Sequence, residues 1–428
     1  MDTIFALASA QGKAGVSVIR ISGPQAFAAG RLLCGNLPDA RQAAVRVVKD
    51  RDGEVIDQAL VLVFEKGKSF TGEPVVEFQT HGSPAVVRRV LNALGQIPEC
   101  RMAEAGEFTR RAFDNGCLDL AQAEGLADLI DAETEAQRHQ AMRSLSGEFG
   151  TLVAVWRERL VRAAALLEAS IDFADEEVPV DVTPEVGELL DLVESDIRKQ
   201  IDGISISERI RDGFEVAIVG RPNVGKSTLL NALAGRDAAI TSDIAGTTRD
   251  VIEVRMELAG LPVTLLDTAG LRDTEDQIEA MGVARARDRA EAADLRVFLV
   301  EPGADPEIEP RGTDIVAVTK ADLNKVEQFS ISPRYGQGID ILVEKIGDIL
   351  SQRAQRAGVA TRERHRMAMN ASLSHLATSR LWVQDGQGGY DIAAEELRLA
   401  IRSLNALVGE VDVEELLGEI FSRFCVGK

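Results

Sequence analysis

Residues 220–227 read GRPNVGKS: two glycines separated by four residues, then a lysine and a hydroxyl residue. An apolar run of strand length (214–219) comes before them and a helical run (228–233) after, which is the setting of a phosphate-binding loop. Glycines let backbone N–H groups turn inward around phosphate oxygens. The expected cradle is therefore Asn223, Val224, Gly225, Lys226, Ser227 and Thr228, with Lys226 reaching the β- and γ-phosphates and the Ser227 hydroxyl on Mg²⁺. Further along, Asp267 closes a buried strand and is followed by Thr268, Ala269 and Gly270. Its carboxylate suits Mg²⁺ held through water, and the Gly270 N–H suits the γ-phosphate. Between these motifs, residues 246–250 (GTTRD) form a switch-like loop in which Thr248 is the expected second hydroxyl on Mg²⁺.

Base choice is read from Thr319, Lys320, Ala321 and Asp322, which follow the apolar run 315–318. A carboxylate there accepts from guanine N1 and N2, so GTP is expected over ATP. Thr319 stands where such motifs usually carry asparagine. Residues 331–333 read ISP, so Ser332 is kept, but Pro333 replaces an alanine whose N–H would bond the guanine oxygen. One neutral hydrogen bond is worth about 0.5–1.5 kcal/mol, which leaves guanine selection to Asp322. Ras-like enzymes orient the attacking water with a glutamine; here that position is Leu271, so the water must be held otherwise.

These residues need a scaffold. From about 213 on, strand-length apolar runs (214–219, 263–266, 295–300, 315–318) alternate with helix-length segments, the pattern of a doubly wound parallel sheet. Before it, residues 1 to about 117 mix short apolar runs with glycine-rich turns, an α+β pattern, and 118–212 is helical. Helical periodicity returns over 356–428. The expectation is a multidomain α/β protein: an N-terminal α+β domain (1–117), a helical domain in two parts (118–212 and 356–428), and a Ras-like P-loop domain (213–355) inserted between them.

Of the 428 residues 45% are hydrophobic but only 4% aromatic, so aliphatic side chains must fill the cores. No apolar run approaches the roughly 20 residues that span a bilayer, and the start shows no signal-peptide pattern. The four cysteines form no CxxC pair, which points to a reducing, cytoplasmic setting and no membrane. The net charge of −21 argues against coating nucleic acid by bulk electrostatics, so any RNA contact needs a local patch.

Outside the nucleotide motifs, residues 2–8 (DTIFALA), 15–24 (GVSVIRISGP), 70–73 (FTGE), 77–82 (EFQTHG), 106–113 (GEFTRRAF), 115–124 (NGCLDLAQAE) and the terminal FCVGK cover both flanks. With them the whole chain resembles the MnmE family of tRNA wobble-uridine modification GTPases. The resemblance implies K⁺ bound by Asn223, by Ser242 and Ile244 through backbone carbonyls, and by Thr247. Such an ion would supply the positive charge that an arginine finger gives elsewhere. It implies Glu279 as the residue orienting water, so that the catalytic set is Glu279, Lys226 and Asn223.

In the N-terminal domain the resemblance implies a tetrahydrofolate one-carbon donor, 5-formyl- or 5,10-methylene-tetrahydrofolate, contacted by Arg20, Glu77 and Lys428. Read alone, Arg20 equally suits a surface ion pair and Glu77 a strand-end carboxylate. The family has a basic residue where this chain has Cys117, so that contact is altered. Cys425 is either an inert buried thiol or, by the family motif, functional. His81, beside Gly82, reads as a turn or structural residue. The implied partners are a second copy of the chain, the FAD protein MnmG and tRNA. The implied reaction installs an aminomethyl or carboxymethylaminomethyl group on C5 of uridine 34. A rival class, a GTP-switched ribosome-assembly factor, would need an RNA-binding appendage, whereas the C-terminal region is helical and acidic.

Overall fold

The computed structural model describes residues 2–172, 181–221, 223–235, 253–267, 288, 291–306, 308–322, 328–411, 414–422, 424, 426 and 427. The chain forms two compact units, one from 1–127 with 405–428 and one from 128–404.

The first unit is an α+β fold. Its elements are β1 (Thr3–Leu7), β2 (Ala14–Ser22), α1 (Ala26–Cys34), β3 (Ala44–Lys49), β4 (Val55–Phe64), β5 (Val75–Gly82), α2 (Pro84–Gly95), β6 (Cys100–Met102), α3 (Glu107–Asp114) and the start of α4 (Leu120–Asp131). The sheet order is β3-β4-β5-β2-β1-β6, antiparallel except for β1 with β6. Period-two alternation divides its faces: in β5, Val76, Phe78 and Thr80 are buried while Glu77 and Gln79 are only partly covered and His81 is exposed. One face packs Phe5, Ile19, Ile21, Val61 and Phe78 with Ala26, Ala29, Val90 and Leu94 of α1 and α2. On the other, Ile4 and Ala6 meet Ala103, Phe108 and Phe70. Helix α2 starts where Ser83 caps Ala85 N–H and Pro84 supplies a preset φ.

The second unit holds helices α5 (Glu135–Leu145), α6 (Glu148–Asp172) and α7 (Thr183–Asp212), followed by a five-stranded sheet and further helices. The strands are β7 (Phe214–Gly220), β8 (Glu253–Leu258), β9 (Leu261–Asp267), β10 (Leu295–Val300) and β11 (Ile315–Val318), with α8 (Lys226–Ala234) after β7 and α9 (Ile339–Ala354) after β11. Helices α10 (Glu363–Gln384) and α11 (Tyr390–Val408) follow. The order is β11-β10-β7-β9-β8, parallel throughout except that β8 runs antiparallel to β9. Strand β8 (EVRMEL) alternates charged and apolar residues, as a half-covered edge strand does, and the sequence reading did not anticipate it. All residues of β9 and β10 are buried, the continuous apolar run expected of strands covered on both faces. In the first unit the last helix, α12 (Glu414–Ser422), brings Leu417, Phe421 and Phe424 onto Leu120, Ala123 and Phe113. Val426 then forms a bridge with Ala105.

Candidate nucleotide site and a polar sheet face

Strand β7 lies between β10 and β9. The chain leaves it for β8 and β9 on one side and reaches β10 and β11 on the other. The carboxyl end of β7 is thus a topological switch point, where open α/β sheets bind ligands. The loop 220–225 occupies that end. A Cβ on Gly220 would run into the Leu299 carbonyl and lie 3.0 Å from Val224 Cγ1, so no side chain fits there. Asn223 (φ 63°) and Gly225 (φ 110°) take left-handed backbone, and Gly225 begins α8 with no side-chain cap. The first N–H groups of a helix are an anion site in such a place.

Lys226 is 6% exposed, and its Nζ donates to the carbonyls of Gly220 (2.6 Å) and Arg221 (3.1 Å), folding the ammonium back over the loop. Ser227 Oγ donates to Asp267 Oδ2 at 3.2 Å. Parallel pairing of Ile218 with Asp267 sets that meeting, because β9 ends beside the loop. A hydroxyl and a buried carboxylate next to a phosphate cradle are a donor set that fits a hard divalent cation such as Mg²⁺.

The residues expected to read the base stand at the carboxyl end of β11. Ser332 Oγ donates to Asp322 Oδ1 at 2.6 Å, and Ser332 is 2% exposed, so one carboxylate oxygen is fixed from beneath. Ser332 is held by its N–H to the Gln337 carbonyl (2.9 Å), and the segment is paired to β11 by the Ile331 N–H on the Val318 carbonyl (2.8 Å). Thr319 is 1% exposed and turns both its N–H and its hydroxyl to the Val300 carbonyl (2.9 and 3.3 Å). It braces the loop. Lys320 (φ 60°) pairs through Nζ with Glu301 at 2.6 Å. The lysine holds the Glu301 carboxyl below its ordinary range. Glu301 was not singled out from sequence; its only signal is an acid directly after a buried strand.

The structure thus gathers Asn223, Val224, Gly225, Lys226, Ser227, Thr228, Asp267, Thr319, Lys320, Asp322 and Ser332 along the carboxyl edge of one sheet. Ser242, Ile244, Thr247, Thr248, Gly270, Glu279, Cys425 and Lys428 lie outside the described residues.

In the first unit, Arg20 and Glu77 are cross-strand neighbours on β2 and β5, and Arg20 Nε meets Glu77 Oε1 at 2.8 Å. The guanidinium also lies over the rings of Phe70 (5.6 Å) and Phe108 (5.8 Å). The two expected folate ligands are therefore each other's partner, on a sheet face with an aromatic wall. Cys117 is exposed and donates its N–H to the Ala112 carbonyl at 2.8 Å. A Cβ on Gly72 would come within 2.9 Å of its sulfur. His81 is exposed, and its Nδ1 and N–H both engage Asp57 (2.8 Å each), fixing the ring at the end of β5.

Next to Arg20, a buried polar network escaped the sequence reading. Ser22 Oγ donates to Glu73 Oε2 (2.7 Å), and Arg111 donates to both Glu73 oxygens (3.2 Å), to Asp2 Oδ1 (2.8 Å) and to Glu107 Oε1 (3.0 Å). Burial alone would raise the Glu107 carboxyl, but the guanidinium groups of Arg101 and Arg111 and the Glu104 N–H outweigh it and hold it low. The consecutive arginines in GEFTRRAF were the sole hint.

No described helix is long and apolar enough to cross a membrane. A family model described as the MnmE helical domain matches residues 120–425, and one described as the GTP-binding protein TrmE N-terminus matches residues 3–117. The chain is 62% identical over 428 residues to the tRNA modification GTPase MnmE of Roseobacter denitrificans, with all of both chains covered. It is 58% identical to that of Cereibacter sphaeroides, again over the full length of both. Among solved structures it is similar to Aquifex aeolicus Era bound to GDP and aluminium fluoride: 27% identity, 32% of this chain and 56% of that one, TM-score 0.24.

Proposed function

Because the chain belongs to the MnmE family of tRNA modification GTPases, we propose that it hydrolyses GTP to drive modification of wobble uridine 34 in tRNA. The observation that carries this reading is that phosphate-cradle, cation and base-reading residues share one sheet edge: Lys226, the Ser227–Asp267 pair, and Asp322 braced by Ser332.

Lys226 exchanges its two carbonyl acceptors for β- and γ-phosphate oxygens, and the N–H groups at the start of α8 bind the same phosphates. Asp322 accepts from guanine N1 and N2 with the oxygen that Ser332 leaves available. Ser227 and Asp267 would hold Mg²⁺, which supplies charge neutralisation at the phosphate oxygens. Asn223, placed by its left-handed backbone in the loop, would contribute to a K⁺ site with Ser242, Ile244 and Thr247. Glu279 would orient the water. The Arg20 and Glu77 face of the first unit, with Lys428, would receive the tetrahydrofolate donor once their mutual ion pair opens. The working form is a cytoplasmic homodimer acting with MnmG on tRNA.

The test is GTP hydrolysis in K⁺ and in Na⁺ at equal ionic strength. Faster turnover in K⁺, lost in Asn223→Ala, supports the reading, and equal rates in both salts refute the K⁺ assignment. Mass analysis of tRNA nucleosides from cells lacking the chain tests the pathway: unchanged wobble uridines reject it.

A further inference from the structure

Strand β9 is buried along all seven of its residues. One end is Asp267, bonded to Ser227 of the phosphate loop. The other, about 23 Å away at the usual strand rise, is the turn of Ala259 and Gly260 that joins it to β8. In sequence this hairpin lies between the switch-like loop 246–250, expected at Mg²⁺, and residues 267–270, expected at Mg²⁺ and the γ-phosphate. Any nucleotide-dependent displacement of those motifs therefore acts on both strands of the hairpin.

The turn is anchored outside the sheet. Ala259 (φ 51°) and Gly260 (φ 78°) both adopt left-handed backbone, which is uncommon for alanine. Gly347 of α9 makes room for Ala259, since a Cβ there would lie 3.0 Å from the alanine methyl. The Gly260 carbonyl accepts from the N–H of Ala136, the second residue of α5, at 3.0 Å. That N–H is one of the donors a helix start leaves unmatched, so the turn completes the cap of α5. Gln137 finishes the joint. Its Oε1 accepts from the Glu133 and Thr134 N–H groups (2.9 and 3.0 Å), and its Nε2 donates to the Arg211 carbonyl at the end of α7 (2.7 Å). The first turn of α5 thus ties the hairpin to α7 at Arg211, two residues before the Gly213 that leads into β7.

We propose that this joint, Gly260 with Ala136 and Gln137 with Arg211, is the contact through which the state of the nucleotide site reaches the helical bundle. The inference rests on the GTP-driven cycle proposed above and names its transmission point.

Two substitutions cut one link each. Ala136→Pro removes the N–H that bonds Gly260 and sets the ring Cδ against that carbonyl, so this link is broken, while the helix start itself tolerates proline; α7 already carries Pro184 at the same helical position. Gln137→Glu keeps the acceptor that caps α5, as in the Thr-x-x-Glu box, and removes the donor to Arg211. Amide hydrogen exchange is followed over 135–145 in the full chain, with GDP and with a non-hydrolysable GTP analogue, at saturating Mg²⁺. The native chain should show exchange rates in α5 that differ by about threefold or more between nucleotides. Either variant should abolish most of that difference while binding both nucleotides within about twofold of native. Three results overturn the proposal: no nucleotide-dependent difference in the native chain, an undiminished difference in both variants, or loss of nucleotide binding in both, which would make the joint merely structural. Failure of the native chain to bind GTP at all would instead defeat the GTPase reading itself.

Discussion

Asp322→Asn is the sharpest test of base recognition. In the native loop Ser332 Oγ donates to Asp322 Oδ1, and Oδ2 is the oxygen proposed to face the base. With asparagine, one position keeps an acceptor and the other becomes an NH₂ donor facing guanine N1–H and N2–H. Two charge-assisted hydrogen bonds are then at stake, each worth about 1.5–3 kcal/mol. Asp322 is exposed, so solvent screening favours the low end: about 3 kcal/mol in total, or a factor of about 150 in Kd. Xanthine carries an oxygen where guanine carries its amino group and can accept from the new NH₂. The variant should therefore bind xanthosine triphosphate more tightly than GTP. Competition of each nucleotide against a fluorescent GTP analogue measures both numbers. A variant that keeps GTP affinity within about fivefold of native would refute the role given to this carboxylate.

Ser227→Ala should raise the Mg²⁺ concentration needed for half-maximal hydrolysis by about tenfold or more, read from a Mg²⁺ titration at saturating GTP. Arg111→Met leaves the buried Glu73 carboxylate without its guanidinium and should cost about 3–5 kcal/mol in urea denaturation, whereas pairing it with Glu73→Leu should recover much of the loss. Glu107 titrates below its ordinary range in the folded chain, so its contribution is complete above the unfolded pKa near ~4 and is lost as pH falls through the folded value. The urea midpoint of the native chain should accordingly fall more steeply with acidification than that of Glu107→Gln. If Arg20 and Glu77 bind folate, Glu77→Gln should weaken folate binding about tenfold by equilibrium dialysis, the equivalent of one charged hydrogen bond, and leave GTP hydrolysis unchanged.

Much of the candidate nucleotide site could be proposed from sequence because each motif is local. A phosphate loop needs glycines at fixed spacing between a strand and a helix, and that constraint is written within eight consecutive residues. The parallel sheet was likewise readable, since strands covered on both faces are continuous apolar runs, as in β9 and β10. The family was legible from the flanks. Strand β8 was not, because half-polar alternation such as EVRMEL carries little signal until a neighbouring strand pairs with it.

What depended on tertiary structure were the meetings between residues far apart in sequence. Arg20 and Glu77 read separately as ligand or surface charge; the register of β2 against β5 made them partners. Glu73, Arg111 and Asp2 share a buried network only because α3 lies against the start of β1, and the sequence holds no periodicity that marks it. The capping of α5 by the β8–β9 turn joins residues over a hundred positions apart. Local backbone chemistry is encoded by neighbours along the chain, whereas hydrogen-bond partners across elements are set by packing, which no short segment contains.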